Sequence, residues 1–165
     1  MPRPSADPVP LDALAPPERE RLRALNNAHA VETSHLEPAE WERLIAEARL
    51  ALGTRDGAGF LFALAPGARY ESANYRWFSN KFERFLYVDR VVVAAHARGR
   101  GLARALYAVA AETARSDGLD RLVCEVNRCP PNPGSDAFHA ALGFRALATV
   151  DLGPHKSVRY LELAL

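Results

Sequence analysis

The segment of this sequence with the clearest chemical potential is a glycine-containing turn between a predicted strand and a predicted helix. Arg98-Gly99-Arg100-Gly101 separates a β-branched run from a helical stretch that begins at Leu102. A helix start presents free backbone N–H groups and the positive end of the helix dipole, and glycine lets a ligand approach that backbone closely. The two arginines of the turn and Arg104 favour an anionic ligand. The turn therefore predicts a site for a phosphorylated ligand, with a plain strand-to-helix turn as the alternative.

Three kinds of phosphate-binding loop can be compared with this turn. A P-loop needs a Lys-Ser/Thr pair at the helix start, where this chain has Leu102-Ala103. A dinucleotide-binding turn needs glycine or alanine where Arg104 stands. The third pattern, R-x-x-G-x-A, is met by Arg98, Gly101 and Ala103. The turn therefore matches only the third kind.

The elements around the turn are predicted by apolar spacing and by turn residues. We expect helices that start at Pro16 and Pro38, a short helix within 70–82, and helices over 102–116 and 135–142. We expect strands over 50–52, 59–64, 85–95, 121–126, 144–151 and 157–164. Strand, glycine turn, helix and strand in succession form a βαβ unit, whose crossover makes its two strands parallel. The prediction is an α/β (α+β) domain with a mixed, mostly antiparallel sheet and a central parallel βαβ unit.

Length and composition limit the classes of function. A chain of 165 residues fits one domain, which we place at residues 17–165 after a proline-rich lead-in over residues 1–16. The formal net charge of +1 gives no electrostatic footprint for nucleic acid. No apolar run approaches the roughly 18 residues of a membrane span, and the N-terminus lacks the apolar region of a secretory signal. Cys124 and Cys129 form neither a disulfide framework nor a metal-binding spacing, so we expect a cytoplasmic protein without a metal.

Two stretches of the chain resemble the GNAT superfamily of N-acetyltransferases. VDRVVVAAHARGRGLARAL, residues 88–106, is similar to motif A of that family, with its pyrophosphate-binding pattern Q/R-x-x-G-x-G/A. CEVNRCPPNPGSDAFHAALGF, residues 124–144, is similar to the strand and helix that follow in the family. The resemblance implies a GNAT-like fold with helices on both faces of the sheet. It also implies that coenzyme A lies between two splayed parallel strands.

The resemblance carries cofactor-binding roles to particular residues. Backbone groups for the acetyl carbonyl and the pantetheine arm would come from Val91, Val92 and Val93. The pyrophosphate would lie against Gly99, Arg100, Gly101, Leu102, Ala103 and Arg104, with Arg98 opening the motif. Asn132 would hydrogen-bond the pantetheine arm. For the valines, a buried strand is an alternative that is compatible with this role.

The resemblance also suggests two catalytic residues. Glu125 matches the glutamate that is the general base in bacterial ribosomal-protein N-acetyltransferases. An amine of pKa ~10 is mostly protonated at neutral pH, so it must lose a proton before attack. His139 stands where the family usually has a tyrosine that protonates the leaving thiolate, and an imidazole can donate a proton at neutral pH. The alternatives are a surface glutamate paired with an arginine and a structural histidine.

The acceptor side is expected in the segment that links the first two helices. In the family this segment lines the acceptor site, and here it contains Glu32, which could attract an ammonium group or be a solvated loop carboxylate. Aromatic residues could form a wall of the acceptor pocket or belong to the core: Tyr75, Trp77, Phe78 and Phe82. Strand alternation predicts that Tyr87 and Asp89 share a face with Val91.

The function that follows from these features is acyl-CoA-dependent N-acyl transfer, with acetyl passing from acetyl-CoA to a primary amine by direct attack. The acceptor is a small molecule or a peptide or protein amine, and a homodimer is one option for the assembly. Alternation places Cys124 and Glu125 on opposite faces of their strand, which disfavours a covalent acyl-cysteine route. The alternatives are a non-catalytic acyl-CoA-binding regulatory module and an interaction domain whose turn binds nothing.

Overall fold

A computed structural model describes residues 7–165 and contains one sheet with five α-helices. The strands are β1 (Val9–Pro10), β2 (Leu50–Gly53), β3 (Gly59–Leu64), β4 (Leu86–Val93), β5 (Arg121–Cys129), β6 (Arg145–Gly153) and β7 (Lys156–Ala164). The α-helices are α1 (Pro16–Ala28), α2 (Pro38–Glu47), α3 (Ala73–Lys81), α4 (Leu102–Ser116) and α5 (Pro133–Leu142). Short 3-10 turns occur at Leu11–Ala13 and Ala95–Ala97. Within residues 7–165, no helix has the length and apolar character that a bilayer crossing requires.

The helix boundaries follow from local signals in the sequence. Proline occupies the start of α1, α2 and α5, where its missing N–H costs nothing. In α2 the Glu40 carboxylate accepts from the Glu37 backbone N–H at 2.9 Å, which satisfies a donor at the helix start. Gly143 ends α5 with a positive φ of 95°.

The sheet has the order β1-β2-β3-β4-β5-β7-β6. All neighbouring pairs are antiparallel except β4 and β5, which are parallel and joined through α4. This confirms the predicted mixed sheet with a central βαβ unit. The parallel pairing holds at only two positions, Leu86 with Leu122 and Tyr87 with Val123. Beyond them β4 and β5 diverge, which opens a gap in the middle of the sheet.

Helices cover both faces of the sheet and pack against it through apolar side chains. On one face Leu86 and Val88 of β4 pack in a cluster with Leu106 and Ala110 of α4. On the other face Trp41 of α2 makes edge contacts with Phe60 and Phe62 of β3, at centroid distances of 5.4 and 5.0 Å. Farther along that face, α3 packs Phe78 against Tyr87 and Tyr160. The helices therefore hold both edges of the central gap in place.

The fold begins inside the proline-rich segment. Val9 pairs with Gly53 of β2, and Leu11 and Leu14 are buried in the core. A Cβ at Gly53 would lie 2.4 Å from Leu22 and 2.7 Å from Leu11, so glycine permits this close approach. The segment expected as a lead-in thus supplies a strand and core residues from residue 9 onward. Its residues 1–6 lie outside the described part of the chain.

A β-bulge at Asp89 changes the phase of β4. Phe62 pairs with Arg90 and Ala63 with Val88, so Asp89 is the extra residue. Tyr87 therefore packs on the α3 side, whereas Val91 packs against the α4 cluster. The expectation that Tyr87 and Val91 share a face is wrong, because simple alternation does not account for an inserted residue.

Candidate active site

The gap between β4 and β5 contains two adjoining cavities. The larger, of about 700 Å³, runs from the end of β4 along the glycine turn to α5. The smaller, of about 120 Å³, lies deeper between the strands and is lined by polar groups that include Glu125. Val91, Asn132 and His139 line both cavities, so the two meet at that point. Such a concave site with convergent polar groups is the most reasonable location for chemistry in this chain.

The glycine turn forms an open cradle at the start of α4. Gly99 and Gly101 have φ values of 75° and 80°, and a Cβ at either would meet nothing within 4 Å. Gly101 is the N-cap of α4, and no side chain caps it, so the first N–H groups of the helix are free. The backbone conformation demands glycine, and the space above it stays open to a ligand. Free N–H donors at a helix start fit a phosphate-bearing group.

The arginines of the turn are placed differently from one another. Arg98 donates from Nε to the Val93 carbonyl at 3.2 Å, and its Nη2 lies 3.2 Å from Nε2 of His29. Because arginine can only donate, His29 accepts through Nε2, and its Nδ1 donates to the Leu25 carbonyl at 3.1 Å. Arg104 lines the larger cavity, whereas Arg100 is exposed and is not among its lining residues. The turn thus offers Arg98 and Arg104 to the cavity, with Arg98 also tied to the end of α1.

The other residues predicted for cofactor binding also lie along the larger cavity. They are Val91, Val92, Val93, Gly99, Gly101, Leu102, Ala103 and Asn132. The side chain of Leu102 packs into the core, so its backbone is the part that faces the turn. Asn132 is the N-cap of α5, where its Oδ1 accepts from the Ser135 N–H at 3.3 Å.

Glu125 lies on β5 and points into the smaller cavity from the α3 side. The Tyr87 hydroxyl lies 2.9 and 2.8 Å from its two carboxylate oxygens and donates to the carboxylate. Burial and, after it, the nearby charge of Asp89 raise the pKa of Glu125 to about 8, although the Tyr87 hydrogen bond opposes both effects. A carboxylate of this kind accepts a proton near neutral pH.

A buried ion pair lies beside Glu125. Arg90 donates to Asp89 at 2.8 Å, and both side chains are only 5% exposed. The Tyr70 hydroxyl donates to the second oxygen of Asp89 at 2.7 Å. Arg90 also donates to Oδ1 of Asn26 at 3.0 Å and contacts Ser34, a residue with a φ of 140°. This network ties the bulge of β4 to the linker between α1 and α2.

His139 lies buried on α5, at 3% exposure, with both ring nitrogens in hydrogen bonds. Its Nδ1 lies 2.7 Å from the Ser135 carbonyl, which can only accept, so Nδ1 carries a hydrogen. Its Nε2 lies 2.7 Å from the Tyr107 hydroxyl of α4. Burial is the main cause that lowers the pKa of His139 below 6.5. Burial thus favours the neutral imidazole, in which Nε2 accepts the hydrogen of the Tyr107 hydroxyl.

The residues that line the two cavities differ in part from those that the sequence suggested. None of the aromatic residues suggested for an acceptor wall lines either cavity, and Tyr75 and Phe78 are buried in the core. Sequence analysis did not identify Tyr107 or Lys156, which line the smaller cavity. Tyr107 follows Leu106 within the apolar pattern of α4, so nothing in the sequence distinguishes it from a core residue. Glu32, an exposed residue of the linker, lines both cavities.

The comparison with protein families agrees with this geometry. The family model described as the acetyltransferase (GNAT) family matches residues 22–144, most of the chain. The chain belongs to the GNAT acetyltransferase family. The match includes the glycine turn, Glu125 and His139. A search of curated proteins found no match to this GNAT domain.

Solved structures show the same fold at low sequence identity. Ribosomal-protein-alanine N-acetyltransferase from Brucella melitensis is 21% identical with a TM-score of 0.66, covering 90% of this chain and 95% of its own. An aminoglycoside 6′-N-acetyltransferase complexed with coenzyme A is 12% identical with a TM-score of 0.68, covering 91% and 92%. A chain of the NatC complex bound to Gag peptide and coenzyme A is 15% identical with a TM-score of 0.71, covering 96% of each. At these identities the likeness shows the GNAT fold alone.

Proposed function

We propose that this GNAT domain transfers an acetyl group from acetyl-CoA to a primary amine. The observation that carries the proposal is the meeting of two cavities in the gap between β4 and β5, one bordered by an uncapped glycine turn and the other by Glu125. The membership of the GNAT family supports it. Two structural relatives, an aminoglycoside 6′-N-acetyltransferase and the NatC complex with a bound peptide, support a small-molecule or peptide amine as acceptor.

Coenzyme A binding is assigned to the larger cavity. The free N–H groups from Gly99 to Ala103, together with Arg98 and Arg104, would hold the pyrophosphate. Backbone groups of Val91–Val93 and the side chain of Asn132 would hold the pantetheine arm and the acetyl carbonyl. Bound acetyl-CoA supplies an activated acyl thioester. Arg100, which is exposed and does not line the cavity, would act only through its charge.

Glu125 is proposed as the general base. The acceptor enters as an ammonium ion of pKa ~10, and it must lose a proton to expose its lone pair. The carboxylate accepts that proton directly or through water, because its raised pKa of about 8 brings it close to the pKa of the donor. The carboxylate of Glu32, at the border of both cavities, would attract the ammonium group before attack.

The compartment and the assembly are part of the same proposal. Cys124 and Cys129 are free thiols, which supports the reducing environment of the cytoplasm. A homodimer is proposed from the family resemblance alone.

Thermal unfolding with and without cofactor tests the proposal first. Acetyl-CoA, propionyl-CoA and free coenzyme A should raise the melting temperature, whereas NAD should not. At 100 times the dissociation constant the expected stabilisation is about 2.7 kcal/mol. The absence of any shift with the three coenzyme A species would contradict the assignment of the cavity.

Release of free thiol from acetyl-CoA in the presence of an amine panel tests the reaction. The panel contains free amino acids, polyamines, aminoglycosides and peptides with a free N-terminus. Glu125→Gln should lower the rate by about 10²-fold or more, the usual contribution of a general base. A shift with acetyl-CoA but no thiol release with any amine would instead favour a non-catalytic acyl-CoA-binding module.

A further inference from the structure

Side chains that can accept or donate protons border the smaller cavity on both faces of β5. Glu125 lies on the α3 side with Tyr87, whereas Cys124 packs on the α4 side, as strand alternation predicted. Tyr107 and His139 also lie on the α4 side. The cavity reaches both faces because β4 and β5 no longer pair at this level. A reacting group in the gap can therefore contact one proton acceptor from each face.

The hydrogen bonds of His139 have a defined direction. The Ser135 carbonyl takes the hydrogen of Nδ1 at 2.7 Å, with the Ser135 hydroxyl 3.3 Å away. This leaves a lone pair on Nε2, which accepts the Tyr107 hydrogen at 2.7 Å. The Tyr107 oxygen keeps lone pairs of its own, and Tyr107 lines the cavity. In this state the pair is ready to accept a proton from the cavity.

We infer that Tyr107 and His139 form a proton relay that moves a proton from the attacking nitrogen to the departing sulfur. Tyr107 is the catalytic residue that touches the reacting atoms, and His139 is a positioning residue that stores the proton. The inference rests on the proposed acetyl transfer and adds to it a residue from α4. It also explains how a histidine at position 139 can serve the thiol, although the Tyr107 hydroxyl already occupies its Nε2.

The proton balance of the reaction requires two transfers. Glu125 removes the first proton, from the ammonium form of the acceptor. The neutral amine then attacks the thioester carbon, a C–N bond forms, and the nitrogen carries one excess proton. Tyr107 accepts that proton at its oxygen while its own hydrogen moves to Nε2 of His139, which becomes an imidazolium ion. When the C–S bond breaks, the same two transfers reverse, and Tyr107 delivers a proton to the sulfur.

The surroundings of the pair fit a group that holds a proton only briefly. Burial among Tyr107, Phe138 and Phe144 disfavours the imidazolium form, whereas the charge of Asp136 on the same helix favours it. Cys124 and Glu125, from β5, are the titratable groups that act on Tyr107. Because the imidazolium form is disfavoured, the proton returns readily through Tyr107 to the thiolate.

The test uses hydroxylamine as the acceptor, with acetyl-CoA as the donor. Hydroxylamine is largely unprotonated at neutral pH, so it does not need Glu125, but the departing sulfur still needs a proton. We expect Tyr107→Phe to lower kcat by about 10²–10⁴-fold, with little change in KM for acetyl-CoA. The matched control is Tyr75→Phe, a core tyrosine whose hydroxyl donates to the Ala65 carbonyl at 2.6 Å, outside both cavities.

His139→Gln separates proton storage from positioning. The glutamine side chain can accept the Tyr107 hydrogen bond, but it cannot take up a proton. In the unchanged protein kcat, measured with the unprotonated form of hydroxylamine kept saturating at each pH, should fall as the pH drops through the lowered pKa of His139, because a protonated ring cannot accept from Tyr107. His139→Gln should lose this limb of the pH profile and most of kcat. A kcat within about threefold of the unchanged value in Tyr107→Phe, or the same acid limb in His139→Gln, would overturn the relay.

A measurement on the unchanged protein guards against variants that do not fold. Nitrogen-15 NMR of the imidazole should show hydrogen on Nδ1 and a lone pair on Nε2. Hydrogen on Nε2 would reverse the direction of the pair and overturn the relay. Lack of thiol release by the unchanged protein would overturn the acetyl transfer itself, whereas release that ignores Tyr107→Phe overturns the relay alone.

Discussion

At the scale of single residues, the chemistry of this site depends on how β4 places one carboxylate near another. The bulge adds Asp89 to β4, and Arg90 and Tyr70 satisfy both oxygens of Asp89. The Asp89 charge stays close to Glu125 and helps burial to raise the pKa of Glu125 to about 8. Removing Arg90 alone would leave the buried Asp89 charge without its cationic partner, a change that costs far more than loss of an exposed ion pair. The Asp89–Arg90 pair therefore helps to determine the pKa of the proposed base, Glu125.

Glu125→Gln should stabilise the protein at high pH. The pKa of Glu125 is raised from 4.5 to about 8 on folding, so the folded state holds the proton more tightly than the unfolded state. The stability from this proton is fully present below about pH 4.5 and is lost as the pH rises through about 8. Glutamine stays neutral and avoids the loss. The melting temperature of Glu125→Gln relative to the unchanged protein should therefore rise between about pH 5 and pH 9, by roughly 2–4 °C for each kcal/mol recovered.

Glu112→Gln is the matched control for this measurement. Glu112 is exposed on α4, so its replacement should change the melting temperature little at either pH. An effect of Glu125→Gln that is the same at both pH values would show that the carboxyl is not held protonated by the fold.

At the scale of elements, α4 connects the parallel strands and also presents the glycine turn. Gly101 and Gly118 lie at its two ends, with φ values of 80° and 73°, and neither would bring a Cβ within 4 Å of another group. Only Gly101 borders the larger cavity. Both positions therefore need a left-handed backbone conformation, but only Gly101 lies beside the cavity.

Gly101→Ala and Gly118→Ala should cost similar stability but differ in cofactor binding. Each alanine must adopt a left-handed conformation, at about 1–2 kcal/mol. Only the methyl group at Gly101 would enter the space assigned to the pyrophosphate. We expect urea unfolding to give comparable losses for the two variants, with the acetyl-CoA-dependent rise in melting temperature reduced only in Gly101→Ala. An equal acetyl-CoA response in both variants would show that the ligand does not lie against this turn.

At the scale of the whole molecule, the sheet consists of two parts that meet between β4 and β5. We call this junction the seam, because the two strands pair there at only two positions. One part contains β1 to β4, and the other contains β5, β7 and β6. Two register pairs join the two parts directly, and α4 and α3 connect them on the two faces. Beyond Tyr87 and Val123 the facing backbone edges have no strand partner across the gap. Unpaired strand edges require another partner. A pantetheine arm that lies between the strands would provide it.

Hydrogen exchange with and without acetyl-CoA should map this seam. We expect acetyl-CoA to slow amide exchange in peptides that cover β4, the glycine turn and the end of β5, because these line the larger cavity or border the gap. Peptides from the middle of β6, at the far edge of the sheet, provide the internal control and should not change. Uniform protection over the whole chain would indicate general stabilisation without a ligand between the strands.

Much of the architecture could be predicted from the sequence, because helices and strands follow from neighbouring residues. The helix expected over 102–116 is Leu102–Ser116, and proline marks the starts of α1 and α2. The parallel βαβ unit and the mostly antiparallel sheet were also predictable, since strand–turn–helix–strand order determines the crossover. The glycine turn was recognisable from its glycines, which the positive φ values at these positions require. The resemblance to the GNAT family rests on the same stretch.

Only the tertiary structure decided which side chains meet. Tyr107 and His139 are 32 residues apart, and Arg90 and Asn26 are 64 apart, so no local pattern encodes these contacts. The bulge at Asp89 reverses the facing of every later residue of β4, and an inserted residue is not visible as a break in a run of valines. The aromatic residues of α3 belong to the core because β4 and β7 pack against them. Local periodicity determined the elements of this protein, whereas long-range packing determined how protons can move through its site.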